Sequence, residues 1–184
     1  MKEIITPAES TGKVIDASST REFRTVTDAK TFFTVASERL RKVSEWHKIA
    51  GKLLAKFELA DHEGREADRS PVEGDYLKID FPGPGSVQER GHDWVRIEAI
   101  DYNQTEDSDE YTFRVRPTQP PVGKTSETEH FYSPEATITF VIRRSQERVS
   151  AEVHDRKATG IADLMTFSEI QWRSLTDGLI GESH

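Results

Sequence analysis

The feature that most constrains the fold is a long stretch, from about residue 53 to about residue 155, in which apolar and polar side chains alternate in short segments. A period of two is typical of strands with one buried face. The apolar positions of these segments are Leu53, Ala55, Phe57 and Leu59; Leu77, Ile79 and Phe81; Val95, Ile97 and Ala99; Tyr111, Phe113 and Val115; Ala136, Ile138, Phe140 and Ile142; and Val149, Ala151 and Val153. In the third segment the alternation assigns Ile100 and Tyr102 to the opposite face, beside Trp94. Polar turns without helical pattern join the segments, and parallel strands would need crossover helices, so the sequence predicts an antiparallel meander.

Helical periodicity is found on both sides of the meander. Before it, apolar residues recur at spacings of three and four, which predicts an amphipathic helix. Its buried stripe would consist of Phe33, Ala36, Leu40 and Val43. Thr27 or Asp28 offers an N-cap oxygen for this helix, and Ser44 offers one for a shorter second helix that Gly51 would end. A first strand is predicted ahead of both helices, over residues 21–26.

The C-terminal region carries a longer helical stripe, over roughly 20 residues that begin after a cap at Thr159. Its members are Ile161, Leu164, Met165, Ser168, Trp172, Leu175 and Leu179, with Phe167 and Ile170 beside them. An antiparallel sheet has one apolar face to cover, and this helix can cover it. The predicted fold is therefore α+β, a curved antiparallel sheet of six to seven strands gripping a long C-terminal helix, with two short helices after the first strand. We expect residues 1–20 to form a loosely ordered N-terminal arm and residues 21–184 to form one domain.

Composition restricts the partners and the chemistry. The formal net charge of −8 and the sequence pI near 5.3 argue against nucleic acid or an anionic membrane as the main partner, since both require clustered Lys and Arg. A local basic patch could override this balance. The chain has no cysteine, which excludes disulfides, thiolate zinc sites and a cysteine nucleophile. No apolar run has the length of a signal peptide or a transmembrane segment, so we expect a cytoplasmic protein. The sequence leaves open whether the protein is a monomer or a homodimer.

The order of the elements, a strand, two helices, a meander and a terminal helix, resembles the helix-grip fold of the START-related superfamily, also described as SRPBCC proteins. The run Val43–His47 (Val-Ser-Glu-Trp-His) resembles the segment after the first helix in many members. The superfamily includes lipid-transfer domains, polyketide cyclases and co-chaperone domains. The resemblance therefore implies a hydrophobic cavity between the concave sheet face and the terminal helix, and it leaves the activity open. A second fold also stays open, the cone of nuclear-transport-factor-2-like proteins, whose helices come early and whose chain usually ends in strands.

A cavity of that kind would be lined by Trp46, His47, Phe140 and Trp172. This predicts that the protein binds a small apolar or aromatic molecule, a class that includes lipids, and that it needs no cofactor. The alternative for the first two residues is structural, with Trp46 packed on Ile49 and His47 exposed to solvent.

Two further functions are open. One is a cyclase- or dehydratase-like enzyme, in which His47 or His154 acts as general base beside an arginine. Strand alternation places Arg114, Arg116, Glu152 and His154 on the outer face, and only a register shift of one residue would turn them inward. No Gly-x-Ser-x-Gly motif is present, and the six histidines show neither His-x-His nor His-x-x-x-His spacing, so we predict no hydrolase site and no metal site. The other function is a co-chaperone-like interaction domain, which would need an exposed apolar patch.

Overall fold

The computed structural model describes residues 14–51, 55–80, 93–122, 136–156 and 167–182. Within these residues, seven strands form one antiparallel sheet in the order β1-β7-β6-β5-β4-β3-β2. The strands are β1 (Val14–Glu22), β2 (Lys56–Ala60), β3 (Tyr76–Asp80), β4 (Asp93–Gln104), β5 (Ser108–Thr118), β6 (Thr137–Ser145) and β7 (Arg148–Arg156). The helices are α1 (Val26–Arg41), α2 (Trp46–Ile49) and α3 (Glu169–Ile180), with a 3-10 turn over Val43–Glu45. The predicted fold class is confirmed.

The core lies between the helices and one face of the curved sheet, which we call the concave face. Phe113, Phe140 and Val153 are cross-strand neighbours on this face, and each is at most 1% exposed. Alternate residues of the same strands point to the opposite, convex face. The period of two therefore separates an apolar interior from a polar surface within each strand.

The first strand begins earlier than the sequence predicted. It covers Val14–Glu22 and not residues 21–26, because it pairs along its whole length with β7 and buries Ile15 and Ala17. Residues 14–20, which we expected in the N-terminal arm, belong to this strand, and residues 1–13 lie outside the described residues. The polar sequence of this segment has little strand pattern of its own, and the pairing with β7 supplies the hydrogen bonds that make it a strand.

Helix α1 has the predicted buried stripe but a different cap. Phe33, Ala36 and Leu40 are at most 3% exposed. The N-cap is Thr25 and neither Thr27 nor Asp28, since Thr25 has extended backbone and its hydroxyl accepts a hydrogen bond from the Asp28 amide. The helix therefore starts one residue after its cap, at Val26.

A β-bulge in β4 corrects the predicted faces of that strand. The register shifts between Ile97 and Ala99, so Ile100 pairs with Phe113 and Tyr102 pairs with Tyr111. Phe113 and Tyr111 belong to the core, and Ile100 packs against it. The prediction that Ile100 and Tyr102 share the face of Trp94 is therefore wrong, because one extra residue inverts the alternation beyond the bulge.

Helix α3 begins at Glu169, later than predicted. Ser168 is its N-cap and forms a capping box with Gln171. The helix therefore starts here and does not continue through Ser168 from the preceding residues. The predicted cap Thr159 and the stripe residues Ile161, Leu164 and Met165 lie outside the described residues, as do Leu53 and Phe81 of the predicted strands. Among the described residues, no helix is long and apolar enough to cross a membrane.

Gly178 allows α3 to lie directly against α2. A Cβ atom at this position would be 2.2 Å from the carbonyl oxygen of Ile49, which is far inside contact distance. A glycine is therefore required where the two helices meet. Each of the two helices contributes one tryptophan to the interior, and both Trp46 of α2 and Trp172 of α3 contact Phe57 and Phe140.

Candidate functional site

Six aromatic rings converge between the concave face and helices α2 and α3, and we call them the aromatic cluster. They belong to Trp46, Phe57, Phe113, Phe140, Phe167 and Trp172, all at most 4% exposed. The ring centroids of Trp46 and Phe140 are 5.0 Å apart, and those of Phe140 and Trp172 are 5.6 Å apart. Three of the four residues predicted to line a cavity are thus brought together, although they are distant from one another in the sequence.

Each indole N–H in the cluster has a fixed acceptor. Trp46 Nε1 donates to the Leu40 carbonyl oxygen at 3.1 Å, and Trp172 Nε1 donates to Asp155 Oδ2 at 2.8 Å. Both indoles are 0% exposed. A buried indole that keeps its hydrogen bond has one orientation, so the faces of the two rings are held in place.

His47 is separated from these rings. It follows Trp46 in α2, and successive helical residues point about 100° apart, so the buried Trp46 leaves its neighbour on the solvent side. His47 is exposed, whereas Trp46 contacts Phe57 and Phe140. The structural alternative for His47, exposure to solvent, is what the structure shows.

Two carboxylates share the concave face with the cluster, and the sequence analysis missed both. Asp155 is 3% exposed and holds Trp172, while Asp93 pairs with the buried Ile79 at the start of β4. Burial raises the pKa of Asp93 to about 6. The signal was available, because Asp155 is in phase with the apolar positions of its strand, as is Asp93 with Val95.

The hairpin end of the concave face is closed by a buried ion pair. Arg144, 0% exposed, donates from Nε to Asp109 Oδ2 at 2.6 Å and from Nη1 to the Gln146 carbonyl oxygen at 3.0 Å. The guanidinium therefore joins the β4–β5 hairpin to the β6–β7 hairpin. We assign it a structural part, since breaking a buried pair leaves an uncompensated charge.

The convex face carries interlocked ion pairs. Glu98 accepts from Arg114 and Arg116, and Glu152 accepts from Arg143 and His154. The hydrogen bond from His154, followed by that from Arg143, lowers the pKa of Glu152 to about 2. The same bond to Glu152, with a second to Asp16, raises the pKa of His154.

The cyclase hypothesis requires a histidine and an arginine side by side in the interior, and the positions of these residues test it. Arg114, Thr139 and His154 are cross-strand neighbours, so they share a face, and it is the face opposite Phe140. The outward orientation predicted from strand alternation is confirmed. Neither His154, on the convex face, nor His47, in solvent, lies beside an arginine in the interior.

The apolar side chains exposed in the described residues come from separate segments. Those with large exposure are Val14, Val72, Tyr102, Val122 and Ile170. They belong to β1, the β2–β3 connection, β4, the segment after β5, and α3. This distribution supplies no support for the co-chaperone-like hypothesis.

Solved structures with a similar chain path include a hypothetical protein, jhp0584, from Helicobacter pylori. It is 11% identical, with a TM-score of 0.55, and the match covers 98% of this chain and 97% of that one. Another is the ginseng major latex-like protein 151 from Panax ginseng, 14% identical with a TM-score of 0.41, covering 92% of this chain and 97% of that one. No family model and no curated protein matches the chain. The first likeness extends to the fold alone, and the second is too distant to support an argument.

Proposed function

We propose that this helix-grip-like chain binds a small apolar or aromatic molecule between the concave face and α3, against the rings of Trp46, Phe140 and Trp172. The observation that carries the proposal is the aromatic cluster itself. Its rings come from separate elements and meet around two indoles whose orientation is fixed by hydrogen bonds. Oriented aromatic faces with a few convergent polar groups are typical of sites for apolar ligands.

Phe167 marks the position that a ligand ring would take. It precedes the N-cap of α3 and so lies outside the helix, yet its ring is 4.2 Å from that of Trp172 and is stacked on Phe57 at 5.6 Å. Phe167 is the one ring of the cluster that belongs to neither a helix nor a strand, so a ligand could displace it without breaking an element. A ligand ring that replaced it would keep the contacts with Trp172 and Phe57.

A polar group on the ligand would meet acidic residues. Asp109 of the concave face is already paired with Arg144, whereas Asp155 and Asp93 favour a ligand with a hydrogen-bond donor or a positive charge next to its apolar part. A role for His47 in the site stays a prediction, since this side chain is exposed on the solvent side of α2.

Tryptophan emission tests the proposal, because two of the three tryptophans lie in the aromatic cluster and the third lies on the convex face. Trp46 and Trp172 are in the cluster, whereas Trp94 is the cross-strand neighbour of Lys78 on the convex face. In a Trp94→Phe variant, only Trp46 and Trp172 emit, and we call their fluorescence the interior emission. Titration with 2-naphthol and with oleate is expected to change this emission saturably and to raise Tm. Wild-type protein, measured in parallel, reports any additional change at Trp94.

A Phe167→Ala variant sharpens the test. Removing this ring is expected to strengthen 2-naphthol binding at least several-fold, since the ligand no longer has to displace it. Interior emission and Tm that stay constant up to the solubility limit of both probes, in Trp94→Phe and in the Phe167→Ala protein, would refute the proposed function.

A further inference from the structure

A polar cleft of about 440 Å³ lies over β6, β7 and β1, and the aromatic cluster has no part in it. We call it the convex cleft. Its lining includes three arginines, Arg143, Arg148 and Arg173, together with His154. The carboxylates that line it are Asp16 and Glu152. The cleft thus carries a local positive charge on a chain whose net charge is −8.

The sheet register explains how these groups come together. Arg143 of β6 is the cross-strand neighbour of Ser150 in β7, and Ser150 is the neighbour of Thr20 in β1. Arg148 lies one step along the same face, opposite Ser145. Arg173 reaches the cleft from α3, which packs along β1. The convex cleft is therefore lined by cationic and hydroxyl side chains from four elements, β1, β6, β7 and α3.

The two carboxylates of the cleft already accept hydrogen bonds from side chains other than Arg148 and Arg173. Glu152 accepts from Arg143 at 2.9 Å and from His154 at 3.1 Å. Asp16 accepts from His154 at 2.6 Å and from Arg156 at 2.8 Å. Neither acid is paired with Arg148 or Arg173 in the described part of the chain.

Arg148 and Arg173 pair instead with acids outside the cleft. Arg148 donates to Glu22 and Arg173 to Glu169, each at 2.7 Å, and all four side chains are more than half exposed. Exposed pairs of this kind contribute about 0–1 kcal/mol, so a ligand can exchange them at little cost. The planar guanidinium is suited to bidentate contact with phosphate or carboxylate oxygens.

We infer that the convex cleft binds the oxyanion group, phosphate or carboxylate, of a small soluble molecule, held by Arg148 and Arg173 with the hydroxyls of Thr20 and Ser150. The site is separated by the sheet from the aromatic cluster, so both sites can be tested independently. The protonated state of His154, favoured by its two carboxylate partners, adds to the positive charge. The net acidity of the chain disfavours an anionic membrane as the source of the group.

Nitrogen-15 NMR titration with inorganic phosphate, at an ionic strength kept constant with sodium chloride, measures the binding. We expect saturable shifts of the Ser18, Thr20 and Ser150 amides with a Kd of about 1 mM, as for a few charge-assisted hydrogen bonds. The double variant Arg148→Gln, Arg173→Gln is expected to bind at least about tenfold more weakly. Both side chains are exposed, so the variant should keep its fold.

A matched control removes the same charge elsewhere. Arg65 and Arg96 are exposed and do not line the cleft, and the double variant Arg65→Gln, Arg96→Gln is expected to keep the wild-type Kd. Equal weakening in both double variants would show a general charge effect and overturn the inference. So would shifts that do not saturate, or binding to phosphatidylglycerol vesicles without binding to inorganic phosphate.

Discussion

The two faces of the sheet are stabilised by different kinds of interaction. Phe140 and Thr139 are adjacent in β6, and one points into the aromatic cluster while the other points to the face of paired arginines and carboxylates. The concave face is stabilised by burial and ring contacts, whose contribution depends on shape. The convex face is stabilised by charge pairs, whose contribution depends on partners and protonation. A substitution should therefore be judged by which face it alters.

Phe140→Ala is expected to have the largest effect on stability. It removes a ring that is 1% exposed and in contact with Trp46, Phe113 and Trp172, and should lower the free energy of unfolding by about 3–5 kcal/mol. Urea denaturation measures the change. Arg143→Ala, three residues along on the convex face, should cost far less, and an equal loss in both variants would contradict the distinction between the faces.

Asp93→Asn is expected to be intermediate and to depend on pH. Burial raises the pKa of Asp93 to about 6, so the wild-type protein should lose stability as pH rises from about 4 to about 6, while its folded state still holds the proton. At pH 7 the variant should be more stable by about 3 kcal/mol, and at pH 4 the two proteins should have nearly equal stability.

Glu152→Gln on the convex face should show the opposite sign. The pKa of Glu152 is lowered to about 2, so its ion pairs stabilise the protein above the ordinary glutamate pKa and are lost as pH falls towards 2. The variant should therefore be less stable than wild type at pH 7. Urea midpoints across a range of about pH 3 to 8 measure both variants, and the same sign in both would show that the faces do not differ in this way.

Thr139→Val is expected to have the smallest effect. Thr139 is 1% exposed, and its hydroxyl has no hydrogen-bond partner among the described residues, so the nearly isosteric valine should stabilise the protein by about 1 kcal/mol. Thr112→Val is the matched control, because the Thr112 hydroxyl donates to Glu110 at 3.3 Å and its loss should destabilise. A clear loss of stability in Thr139→Val would point to a partner of this hydroxyl.

Much of the concave face could be predicted from the sequence. The alternation around Phe113 and Phe140 and the spacing of Phe33 and Leu40 identified the strands and α1, and they also selected Trp46, Phe140 and Trp172. These signals are local, because burial on one face forces a period of two in a strand and of 3.6 in a helix. The order of such elements was sufficient for the fold class.

The features that escaped prediction depend on distant partners. Residues 14–20 form a strand because they pair with β7, and the bulge between Ile97 and Ala99 is defined by the register of β4 against β5. Arg148 and Arg173 line the same cleft because α3 packs along β1, and the close approach of Gly178 to Ile49 sets where that helix lies. Alternation along a chain determines which residues are buried, whereas neighbours across space determine register, pKa and which charges meet. For that reason the sequence alone determined the layered fold and its aromatic interior, and the tertiary structure alone decided the convex cleft.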